Sequence, residues 1–264
     1  MAPPDRQKAL LPDASEPLVL IGPPRGVRGE FRIQNPTAEK IIVKQPLLKR
    51  AVAAGRGKTA AAAKAASAAL PAESLALRRI VVRPGQSRPV PISLALDPTT
   101  PPGTYQAELE VEGELRTVVM HVTEDVTFSI TPEQLVLPNH AGEKVQKQVV
   151  FTNHGNVPLS IRNIGTVVLD EELAHCRALR GALDEVGDKM KNLDDFLVAL
   201  GKRYKAIYAT LVLKVQNEKV TVAPGETRVL DLTITLPEKL EARSRYTGYA
   251  AISTGTLTFT IVPD

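Results

Sequence analysis

Two stretches of this chain match two others at fixed offsets, which limits the folds open to it more than any other feature. FRIQNPTAEKIIV (31–43) lies over VVFTNHGNVPLSI (149–161), so that Phe31, Ile33, Asn35, Ile41 and Val43 fall on Val149, Phe151, Asn153, Leu159 and Ile161, 118 residues on. VVRPGQSRPVPISLAL (81–96) lies over TVAPGETRVLDLTITL (221–236). Pro84-Gly85 falls on Pro224-Gly225, and Ile92, Leu94 and Leu96 on Leu232, Ile234 and Leu236, 140 residues on. A Tyr-bearing segment, a tight turn and a closing segment follow each copy: TYQAELEVEGELRTVVMHV and YTGYAAISTGTLTFTIV. The chain therefore reads as one fold used twice, the second copy longer by 22 residues between its two anchors.

Within the copies, apolar and polar residues alternate with period two. Leu230, Leu232, Ile234 and Leu236 point one way; Asp231, Thr233 and Thr235 point the other. That is the pattern of a sheet with one buried and one wet face. Pro-Gly, Gly-Asn, Glu-Gly-Glu and Thr-Gly-Thr between the runs suit short antiparallel connections. Short alternating strands with regular turns predict immunoglobulin-like β-sandwiches. At 264 residues the chain has room for two such domains, each with its own core. We expect a tail at 1–15, a first domain at 16–124 and a second at 125–264. A single cysteine, Cys176, excludes an internal disulfide and a cysteine-based zinc site.

The run QVVFTNHGNVPLSI, then VTVAPGETRVLDLTITLP, then a final Tyr/Gly-bearing hairpin, resembles bacterial immunoglobulin-like modules. The additional domain associated with α-galactosidases is similar, as are cell-adhesion modules. The resemblance spans most of 125–262 and extends to 16–124. It implies spacers, docking surfaces or assembly parts, and it brings no catalytic residues. This chain departs from it by a long helical insert.

Both copies are interrupted after the second aligned strand, at about 47–77 and about 169–208. Both inserts favour helix by composition, being rich in Ala, Leu, Lys, Glu and Arg. In the second, Cys176, Leu179, Leu183, Val186, Met190, Leu193, Leu197, Leu200, Tyr204, Ile207 and Leu211 recur at alternating steps of three and four. One unbroken helix over them would run about 54 Å, against roughly 20 Å for a sandwich strand. Gly187 suits a helix end, and Asn192 with Asp194 and Asp195 suits a new start. A hairpin of roughly 170–187 and 192–208 is the preferred reading, a single rod the other. The stripe either packs on its own hairpin and sandwich or docks onto a partner. In the docking reading Leu179, Leu183, Val186, Leu193, Leu197, Leu200 and Tyr204 meet a second copy or another protein.

Charge is unevenly placed. Residues 1–83 carry 15 Lys/Arg against 6 Asp/Glu, and the rest carry 18 against 23. Lys49, Arg50, Arg56, Lys58 and Lys64 have no acidic neighbour among them, forming a candidate contact patch for an acidic protein surface. Gly-Lys-Thr at 57–59 resembles the end of a phosphate-binding loop, but the glycine required five residues earlier is Val52. With no tryptophan and 4% aromatic residues, base stacking on nucleic acid has no platform.

No nucleophile elbow, zinc-helix or calcium-loop motif occurs. Of His121, His140, His154 and His175, neither His121 nor His154 has a metal-ligand neighbour at useful spacing. His175 and Cys176 diverge on a helix, so a buried structural cysteine is expected. Asp170-Glu171-Glu172 is read as a helix start. No cofactor, metal or catalytic residue is predicted. The expected role is a non-enzymatic structural or accessory subunit, bacterial in character, working by contact with other protein subunits or with itself. The alternatives are a carbohydrate or cell-surface binding module and a pilus-chaperone-like edge-strand donor. No apolar run reaches the roughly 18 residues a bilayer crossing needs. MAPPDRQKALLPDASEP holds no signal-peptide core, which favours the cytoplasm over export with the leader removed.

Overall fold

A computed structural model describes residues 16–43, 47–53, 80–111, 114–162, 165–187, 193–216, 219–252 and 255–263. Among them the fold is mainly β, with two α-helices. The chain divides near Val126 into two compact units, and His154–Val157 belongs with the first.

In the first unit, β1 (Leu18–Gly22), β2 (Val27–Gln34), β4 (Leu47–Ala53), β6 (Ser87–Leu94), β7 (Gly103–Val111) and β8 (Glu114–Val122) form one sheet in the order β4-β7-β8-β1-β2-β6. The short strands β3 (Ile41–Val43) and β5 (Ile80–Val82) pair separately. Alternation sets which side is buried: Leu18 and Leu20 of β1 are inside, Val19 and Ile21 outside. Leu20, Ile33, Val82, Ile92, Leu109 and Met120 meet in one core that both sheets share. Asn156 is buried in this unit, its amide donating to the carbonyls of Thr100 and Thr123 at 2.9 Å.

Residues 47–53 correct the expected helical insert at 47–77. They form a strand paired antiparallel with β7, from Leu47 opposite Glu110 to Ala53 opposite Tyr105. Pairing with a long neighbouring strand overrides the helix preference of Leu, Lys and Ala, which is worth only tenths of a kcal/mol per residue, about 0.7 at most. The remainder of that insert, 54–79, lies outside the described residues.

In the second unit the strands are β9 (Phe128–Thr131), β10 (Gln134–Pro138), β11 (Lys144–Asn153), β13 (Gly165–Glu171), β14 (Ala209–Val215), β16 (Thr227–Thr235), β17 (Tyr246–Ile252) and β18 (Gly255–Val262). They form a sheet ordered β10-β18-β17-β13-β14-β16-β11-β9, and β12 (Leu159–Arg162) pairs with β15 (Lys219–Val222). Between β13 and β14 run α1 (Ala174–Val186) and α2 (Leu193–Ile207).

Every ladder of the first unit has a counterpart in the second. β2·β6 matches β11·β16, β3·β5 matches β12·β15, β4·β7 matches β13·β17, and β7·β8 matches β17·β18. The parallel pair β1·β8 matches β10·β18, and antiparallel β1·β2 matches β9·β11. The registers carry the sequence offsets with them: Phe31 faces Val90 and Val149 faces Leu230; Ile41 faces Val82 and Leu159 faces Val222. The second unit adds β14, which bridges β13 and β16.

The same corner is built twice. Asn35 and Asn153 are both fully buried. Each donates its side-chain amide to the carbonyl of the valine two residues before a Pro-Gly turn, Val82 at 3.0 Å and Val222 at 3.1 Å. Each backbone carbonyl accepts from the turn glycine, Gly85 or Gly225, at 2.9 Å. Those glycines sit at φ +65° and +73°, a region that favours glycine. Tyr105 and Tyr246, at the starts of β7 and β17, both tie their hydroxyls back to the preceding segment. Tyr105 donates to the Pro101 carbonyl at 2.8 Å, and Tyr246 accepts from the Glu241 N–H at 2.8 Å.

Candidate functional site

The two helices form the candidate site. α1 ends at Gly187, whose backbone takes φ +44° and returns its N–H to the Leu183 carbonyl. α2 opens with Asp194 and Asp195 in its first turn, where the positive end of the helix dipole favours carboxylates, and closes with Lys205 in its last. The chain leaves β13 and returns to its ladder partner, with Leu169 opposite Ala209. The start of α1 therefore lies by the end of α2, where His175 Nδ1 meets the Tyr204 hydroxyl at 2.9 Å. The helices pack on each other.

Alanine makes that packing. Ala174, Ala178 and Ala182, four residues apart on α1, are buried, as is Ala199 on α2. Small side chains let the backbones approach closely. Gly181 continues the theme: Arg203 crosses it, with Nε 3.4 Å from where a Cβ would stand. Arg203 then reaches Glu185 at 2.9 Å, and Lys202 reaches the same carboxylate at 3.2 Å. The hydrogen bond from Lys202, then that from Arg203, hold the Glu185 carboxyl below the usual carboxylate range.

At the base of the hairpin Glu171, read from sequence as part of a helix start, ends β13 with a side chain only 1% exposed. Arg177 donates to it at 2.6 Å and Ser244 at 2.8 Å, while Arg177 also reaches Glu241 at 3.2 Å. A buried carboxylate demands such partners, and this one fixes α1 to the sheet.

The stripe read from sequence does not form the hairpin's seam. Leu179, Leu183, Leu193 and Leu197 are 42%, 56%, 66% and 51% exposed. Val186, Leu200 and Tyr204 are half-buried. Leu211, the last position of the stripe, is in β14 and buried. Cys176 is exposed, which corrects the expected buried cysteine. On a helix turning about 100° per residue, Leu179 and Leu183 lie about 120° round α1 from its alanines, and Leu193 and Leu197 about 110° round α2 from Ala199 and Phe196. Because the helices run oppositely, those similar turns bring both leucine pairs to one side of the hairpin. The alanine spacing was present in the sequence, but weak hydrophobicity hid it beneath the stronger leucine signal.

Of the basic patch, Lys49 falls at the register shift in β4 and Arg50 stands opposite Glu108. Arg56, Lys58 and Lys64 lie outside the described residues. His121 meets Thr104, His140 meets Glu143 and His175 meets Tyr204. Among the described residues no group of His, Cys, Asp and Glu is arranged to hold a metal, and no helix is long and apolar enough to cross a membrane.

No family model and no curated protein matches this chain. Among solved structures it is similar to the Pseudomonas aeruginosa CupB2 chaperone, at 12% identity over 97% of this chain and 100% of that one, with a TM-score of 0.25. It is similar to the class 5 fimbriae chaperone CfaA at 11% identity over 97% and 100%, TM-score 0.26. It is also similar to PapD-like domain 7 of human CEP192 at 11% identity over 55% and 94%, TM-score 0.26. Likenesses this remote carry no argument for function.

Proposed function

We propose that this chain is a non-enzymatic accessory or structural subunit of two tandem immunoglobulin-like sandwiches, the helical hairpin of the second serving as its docking element. The observation that carries the reading is the division of labour on the helices. Alanines pack the hairpin, while four leucines that could have packed it stand in solvent on one side. Exposed leucine is unremarkable singly, but two i,i+4 pairs on one face form a patch of the kind that marks interaction sites. The matching ladders, the twin asparagine corners and the paired tyrosines support the tandem arrangement. An acidic protein surface is the partner suited to the basic residues around Lys49 and Arg50.

A second reading, carbohydrate binding, draws on one feature. The face of β11, β14 and β16 holds a recess of about 380 Å³ lined by Gln146, Gln148, Gln216, Asp231 and Thr233. Amides and a carboxylate suit hydroxyl groups, although Gln148 and Asp231 already bond each other at 2.7 Å. Edge-strand donation draws less support at β6, an edge of its sheet that carries Pro89 and Pro91, since prolines remove the N–H groups an added strand would need.

The test is cross-linking and co-purification from the native source with the wild-type chain and with a Leu183→Asp, Leu197→Asp double variant. Loss of the protein partners at unchanged thermal unfolding is expected. Partners retained by the double variant would overturn the hairpin's role.

A further inference from the structure

We draw no further inference here: the strongest candidate, the open face of the α1–α2 hairpin at Leu179, Leu183, Leu193 and Leu197, belongs to the docking element already described, and nothing in the structure shows what covers it.

Discussion

Asn35 and Asn153 are the residues on which the two units most closely agree. Each is buried, and each donates its amide to the carbonyl of a valine at the end of a short ladder, just before a Pro-Gly turn. Replacing either by Ala strands that carbonyl and should cost about 1–3 kcal/mol. The two costs should be similar, which chemical denaturation of the single variants will measure. Glu185 is the titrating residue to watch. Its carboxyl is held low by Lys202 and then Arg203, so its folded value lies beneath its unfolded one. Its contribution is therefore present above the usual carboxylate range and is lost as pH falls through the depressed value. Acid titration followed by far-UV circular dichroism should show helical signal falling earlier than strand signal. In Glu185→Gln that difference should vanish.

The elements divide into strands that the chain pattern dictates and helices that context arranges. Alternation along β16 buries Leu230, Leu232 and Ile234 as the pattern requires, each side chain worth about 1.5–3 kcal/mol of burial. In β4 the same logic failed, because LLKRAVA suits a helix until β7 offers a ladder. On the hairpin the failure is subtler. The stripe of threes and fours was real, but four of its leucines, Leu179, Leu183, Leu193 and Leu197, are exposed, while Ala174, Ala178 and Ala182 are buried. Ala182→Leu should overpack the seam and destabilise the hairpin by about 1–3 kcal/mol. Lost helical signal with an unchanged β signal is the expected readout. If the helical signal holds, the seam lies elsewhere.

For the molecule as a whole, we expect the hairpin to be separable from the strands that carry it. β13 and β14 pair with each other directly beneath it, and Arg177 ties the hairpin to them through the buried Glu171 and through Glu241. A chain with 174–207 replaced by a short turn, and with Glu171→Gln so that no charge is left buried and unpaired, should fold with its β signal and cooperative unfolding intact. Failure to fold would show that the helices belong to the core. The sequence alone determined the strand alternation and the turn glycines, because each is a local or periodic property written in consecutive residues. Which stripe of the hairpin is covered, that β4 is a strand, and that Glu171 is buried against Arg177 were decided only in three dimensions. Each depends on a neighbour brought close by the fold, and a period in the chain tells which residues share a face but not which face finds a partner.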